Sequence, residues 1–191
     1  MKDSCVMKMV QRNEILDYMS YEDTREAIQK EVFPEKARRR IHVGDHFTCL
    51  FENALTIRYQ VQEMMRAEKI VREKDIQHEL DTYNDILGGD GELGCCLMIE
   101  VDDPQQRNFK LRAWLDLPKH IYAELQDGTR VYARFDPAQV GVDRLSSVQY
   151  LKFPVGVQTP VALGTDLPGC ETRQLLQEDQ RKALQEDLSR K

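Results

Sequence analysis

Residues 51–87 read FENALTIRYQVQEMMRAEKIVREKDIQHELDTYNDIL, and the period of this stretch decides how the rest of the chain is arranged. Asn53 is a good N-cap, because its amide oxygen accepts from the open amides of a first helical turn. From Ala54 to Arg72 the apolar residues Ile57, Val61, Met64, Met65 and Val71 fall on one arc at 100° per residue. Glu68 projects inside that arc and Arg72 lies beside it one turn on, so the pair is expected as a partly buried ion pair. Lys74-Asp75 interrupts the pattern. Ile76, Leu80, Tyr83 and Leu87 then give a second helical series, capped by Asp75 and stopped by Gly88-Gly89. The reading is a helix–kink–helix over 54–87.

The opposite face of the first helix is polar. Arg58, Tyr59, Gln62, Glu63 and Arg66, with Asn84 from the second helix, form the candidate ligand-binding set. Arginine's planar fork matches a carboxylate, so the ligand expected there is a small anion held by Arg58, Arg66 and Tyr59 against Glu63. The competing reading is a packing contact in which these groups pair with each other. An open, helix-lined pocket favours the first reading and a dry, paired contact the second.

Working outward, Phe47, Cys49 and Phe51 alternate with Thr48 and Glu52, which predicts a mostly buried strand ahead of the helix. Upstream, residues 11–19 predict a short helix with Ile15, Leu16 and Met19 inward. A second helix starts at Ser20, with Asp23 as reciprocal cap, and ends at Phe33-Pro34. The basic run Lys36-Ala37-Arg38-Arg39-Arg40 reads as a solvated or carboxylate-facing loop. It lacks interleaved aromatics, and the chain's net charge is −6, so no nucleic-acid partner is expected.

Downstream, the apolar run 95–101 suits a central strand, and its Cys95-Cys96 pair reads as two buried thiols on opposite faces. Asp103-Pro104 opens a helix with Phe109, Leu111, Trp114 and Leu115 on its core side. Asp127-Gly128 between two alternating runs is a hairpin signal. Residues 147–153 predict another strand, and 160–164 a short edge strand. The architecture expected is α+β: one domain over 1–170, a mostly antiparallel sheet with packed helices. Residues 171–191 are expected as a charged helical tail that docks on the body or on a second copy.

No run of about 18 apolar residues occurs, so no membrane span is expected. The first residues lack the pattern of a secretory signal, and five cysteines in 191 residues read as reduced thiols, which makes the cytoplasm the expected location. His42, His46 and Cys49 are metal-type donors, but a turn and a strand do not converge them, and Asp75 with His78 is only half of a paired carboxylate–histidine motif. No metal and no cofactor is expected. Residues 73–103 hold ten acids against one base, Lys74, and offer one surface for an unknown protein partner or for self-association.

The strings Arg39-Arg-Ile-His-Val-Gly44, Leu50-Phe-Glu-Asn53, Tyr59-Gln-Val-Gln-Glu-Met-Met-Arg66, Arg134-Phe-Asp136 and Gln149-Tyr-Leu-Lys152 resemble a bacterial family catalogued as domain of unknown function 3501. The resemblance spans nearly the whole chain. It implies no activity, substrate or cofactor. The family's members are often encoded near rubrerythrin-like and iron–sulfur proteins, so it does imply a redox or oxidative-stress setting. The reading that follows is a non-catalytic accessory or interaction protein, with a small-molecule binder or enzyme using the polar helix face as the alternative.

Overall fold

Alternating apolar residues build two four-stranded antiparallel sheets in the computed structural model, which describes residues 9–189. The first sheet has the order β1 (Arg40–Val43), β2 (Phe47–Phe51), β3 (Leu93–Ile99), β6 (Val148–Phe153). The second has the order β5 (Arg130–Tyr132), β4 (Ile121–Glu124), β7 (Ala162–Thr165), β8 (Thr172–Leu175). Phe47, Cys49, Phe51, Cys95, Leu97, Leu151 and Phe153 turn inward from one sheet, and Ile121, Ala123 and Leu163 from the other, into one shared core. At one edge Arg134 and Lys152 exchange backbone hydrogen bonds of 2.7 and 2.8 Å, which ties the chain leaving β5 to β6. At the other edge Gly44 lies so close to β8 that a Cβ there would sit 2.9 Å from Thr172 Oγ1. The α+β class is as expected, but the strands form two sheets where the sequence pattern suggests one.

The helices are α1 (Tyr18–Ala37), α2 (Ala54–Glu68), α3 (Glu73–Asn84), α4 (Pro104–Ala113), the single turn α5 (Leu117–His120) and α6 (Glu178–Ser189). A second core, of Val10, Ile15, Ile57, Val61, Met65, Ile76, Leu80, Ile86 and Leu87, joins α2 and α3 to the N-terminal segment. Asn53 caps α2 as expected, accepting from Thr56 N while Thr56 Oγ1 accepts from Asn53 N. Asp103 caps α4 with Pro104 at its first turn. The hairpin turns at Gly128 (φ +83°), whose amide donates to Leu125 O while Leu125 N donates to Thr129 O, a type I turn closed by a glycine bulge.

Several boundaries differ from the sequence pattern. α1 is capped by Asp17, whose carboxylate accepts from the amides of Met19 and Ser20, and the segment before it holds a 3₁₀ turn, Arg12–Glu14, followed by the exposed Leu16; Met19, also exposed, belongs to α1 itself. α1 also runs through Pro34. A proline inside a helix costs about 3 kcal/mol, and the last turn has contacts that offset it. Phe33 meets the Tyr59 ring edge-on at 5.9 Å, and Glu35 takes Arg38 and Arg39 at i+3 and i+4. α2 ends four residues early, because Lys69 adopts the left-handed conformation (φ 55°, ψ 41°). The expected kink is therefore a break. Val71 beyond it is exposed, and Arg72, not Asp75, occupies the cap position of α3. Phe109 projects into solvent, leaving Leu111 and Trp114 as the buried side of α4. β7 is interior to its sheet because residues 172–175, expected as helix, form the edge strand beside it. The rest of the tail docks as expected: α6 buries Ala183, Leu184 and Asp187.

Candidate functional site

The polar face of α2 lies against α1, and most of its groups find partners there. Glu63 accepts from Arg25 Nε and Nη2 at 2.7 and 2.8 Å and from the Tyr21 hydroxyl at 2.6 Å. The Arg25 hydrogen bonds hold the Glu63 carboxyl below the usual carboxylate range against the opposing effect of burial, while burial and the adjacent carboxylate push the Tyr21 phenol up. Arg66 makes a bidentate pair with Glu22 at 2.5 and 3.0 Å. The Tyr59 hydroxyl accepts from Gln29 at 3.2 Å, and its ring carries Lys36 Nζ 5.5 Å from the centroid.

Gln62 and Asn84 have a different task. Leu16 N donates to Gln62 Oε1 at 2.6 Å, and Gln62 Nε2 donates back to Leu16 O at 3.2 Å. Val10 N donates to Asn84 Oδ1 and Asn84 Nδ2 to Val10 O, both at 2.9 Å. A carboxamide carries a donor and an acceptor side by side and so can pair with one residue's backbone as a neighbouring strand would. These two amides clamp the incoming segment onto the helix pair, and Arg12 adds a bidentate contact to Glu73. Of the six candidate residues, Arg58 is the one without a hydrogen-bond partner among the described residues. It borders a cavity of about 180 Å³ with Tyr59, Gln62 and Leu16.

Glu68 and Arg72 do not form the buried pair expected of them. Both are exposed, because the left-handed Lys69 ends the helical register between them. The basic run behaves as a carboxylate-facing patch. Arg39 is fully buried, bidentate to Asp187 at 2.8 Å on both arms and paired with Glu35 at 2.5 Å. Arg38 bridges Glu35 and Glu186, so α6 is fastened to the end of α1 by charge.

The donors His42, His46 and Cys49 point to different surroundings. His42 Nδ1 shares a 2.8 Å hydrogen bond with Thr48 Oγ1, His46 packs at a tilt against Trp114 beside Lys110, and Cys49 lies in the core. Cys49, Cys95, Cys96 and Cys170 are free thiols; Cys5 lies outside the described residues. Cys95 is fully buried as expected, whereas Cys96 is only partly so.

Two features escape the sequence pattern. Glu52, at the junction of β2 and α2, is buried, and its Oε2 has no hydrogen-bond partner among the described residues. Burial pushes its carboxyl up, with Thr56 and the charge of Lys36 pulling the other way. Its neighbour Cys96 is pushed up to about 12, mainly by burial and then by the Glu52 charge. The second feature is a cavity of about 330 Å³ where the chain after β5 meets β6 and the end of α3, with Arg134, Lys152, Asp85, Asp136, Phe135 and Tyr150 among its walls. These residues come from three separate stretches, and only their places in the family strings around 134–136 and 149–152 set them apart in the sequence.

The family profile described as "Protein of unknown function (DUF3501)" matches residues 9–188. The chain is similar to a crystal structure from Burkholderia pseudomallei K96243, described as a novel protein of unknown function. The TM-score is 0.86 at 28% identity, covering 95% of this chain and 100% of the other. None of the curated proteins matches the chain. Among the described residues no helix is long and apolar enough to cross a membrane.

Proposed function

The chain belongs to the DUF3501 family of proteins of unknown function, and we propose that it is a non-catalytic accessory protein that works through contact with another protein or a second copy. One observation carries this reading. Of the six polar residues placed for ligand binding, Tyr59, Gln62, Glu63, Arg66 and Asn84 are spent on internal contacts. A face committed in this way orders a fold and presents its outer surfaces to partners. The acidic stretch 73–103 supplies one such surface, with Asp81, Asp85, Asp90, Asp102 and Asp103 exposed. A redox or oxidative-stress setting rests on what the family resemblance implies about neighbouring genes, and a cytoplasmic location on the cysteine usage and the first residues of the sequence.

Native mass spectrometry of the chain purified gently from its own host tests the reading. The result expected is a stoichiometric complex with a protein partner or a second copy that weakens as salt rises, since exposed charges are screened. A bare monomer carrying a small molecule that is lost in Arg58→Ala would overturn it, and would favour the alternative, an anion held by Arg58, which has no hydrogen-bond partner among the described residues.

A further inference from the structure

The cavity between β6, the chain after β5 and the end of α3 combines three kinds of wall. Arg134 and Lys152 are fixed opposite each other by their reciprocal backbone bonds of 2.7 and 2.8 Å, so their side chains leave the sheet on the same side. Asp85 and Asp136 bring two carboxylates to the same space, and Phe135, Tyr150 and Ile86 supply apolar surface. Gln139 holds this wall in place: Tyr150 N donates to its Oε1 at 2.8 Å and its Nε2 donates to Tyr150 O at 3.0 Å. A volume of about 330 Å³ falls at the small end of ligand sites.

The charges balance, two of each sign, which argues against a simple anion or cation. Asp136 Oδ1 accepts from the Ala138 amide at 2.9 Å, which fixes that carboxylate, and the other three charges are loosely committed. Lys152 Nζ stands 3.6 Å from an Asp85 oxygen, beyond a direct hydrogen bond, and Asp85 is largely exposed. Arg134 reaches Glu92 at 3.2 Å from a mostly exposed position. Exposed pairs of this kind contribute little, so a ligand offering the same two charges at better geometry can replace them.

We propose that this cavity binds a zwitterionic small molecule of the α-amino-acid class with an apolar side chain. Its carboxylate lies between Lys152 and Arg134, its ammonium faces Asp85 and Asp136, and its body rests on Phe135, Tyr150 and Ile86. The site does not depend on the α2 face, and it gives a non-catalytic protein a metabolite input.

Isothermal titration of the full chain with L-phenylalanine, L-leucine, glycine, phenylacetate and phenethylamine tests the assignment. L-Phenylalanine or L-leucine is expected to bind at one site. Phenylacetate and phenethylamine, each lacking one charge, and glycine, lacking the body, are expected to bind at least about tenfold more weakly, the size of one lost charged hydrogen bond for the first two and of lost apolar burial for glycine. Lys152→Gln and Asp85→Asn should each weaken phenylalanine by a similar factor while the melting temperature holds, because both side chains sit at the surface. Arg134→Gln provides a third variant if either melts early. Phenylacetate binding as tightly as phenylalanine, binding unchanged in all three variants, or no heat with any of the five compounds at millimolar concentration would overturn it.

Discussion

Glu63 of α2 and Arg25 of α1 face each other through two parallel hydrogen bonds of 2.7 and 2.8 Å, and Tyr21 donates a third, of 2.6 Å, to the same carboxylate. The carboxylate thus has three donors from one neighbouring helix, which leaves little capacity for a ligand. Gln62, Arg66 and Asn84 repeat the arrangement with other partners. The polar face of α2 is a joint between α1, α3 and the N-terminal segment.

The clamp made by Asn84 is directly measurable. Asn84→Ala leaves the amide and carbonyl of Val10 without partners in a buried place, a loss of about 1–3 kcal/mol. Hydrogen exchange should show the Val10 amide losing protection while amides in β3 keep theirs. Unchanged protection at Val10 would mean that the segment is held by its apolar contacts alone.

Arg39 should be far less tolerant than the other arginines of its run. Arg39→Ala strands Asp187, itself nearly fully buried, and costs about 3–5 kcal/mol. The double variant Arg39→Met with Asp187→Leu removes both charges and should recover most of that loss in urea unfolding. If the double variant is as unstable as the sum of the singles, the guanidinium's shape and not its charge is what the site needs.

The buried Glu52 carboxyl sets a pH dependence of definite sign. Its folded pKa lies above its unfolded one because burial penalises the ionised form. Above the unfolded value of about 4.3, folding then requires proton uptake, and this residue's contribution to stability falls as pH rises. Glu52→Gln keeps the shape and removes the titration. Its melting temperature should gain on the parent's as pH rises above the unfolded value of about 4.3; parallel curves would contradict this.

Cys96 illustrates the same environment chemically. A thiol pushed up to about 12 carries roughly a thousandfold less thiolate at pH 8 than an ordinary cysteine. Alkylation followed by mass spectrometry should find it nearly inert in the folded chain and reactive in urea. Labelling of the folded protein at the rate of a free cysteine would show that the thiol is not held as described.

Local signals in the sequence were legible and distant ones were not. Asn53, Asp103 and Gly128 act through their own backbone neighbours, so their cap and turn roles follow from position alone. The end of α2 has no such marker. Lys69 takes a left-handed conformation with neither glycine nor proline present, and a periodicity argument carries the helix on to Val71 and Arg72. That extension is why Glu68 and Arg72 looked like a buried pair. Pro34 failed as a stop signal because the α1 turn around it is fixed by Tyr59, Arg38 and Arg39. Residues 172–175 became an edge strand through pairing with β7, which their polar composition does not advertise. At the candidate site the polar residues of α2 were identifiable from the pattern, but their partners are 30 to 74 positions away, and no spacing rule reaches that far.

A double-mutant cycle at Arg25 and Glu63, read by urea unfolding of the parent, Arg25→Gln, Glu63→Gln and the pair, tests the central claim most directly. If the face is a structural joint, each single substitution destabilises and the coupling is favourable, about 1–2 kcal/mol for a charged, bidentate contact that solvent partly screens. Residues kept for binding or catalysis commonly cost stability, and replacing them raises it. A rise in stability in Glu63→Gln, with coupling near zero, would contradict the account and return the α2 face to the role of a ligand site.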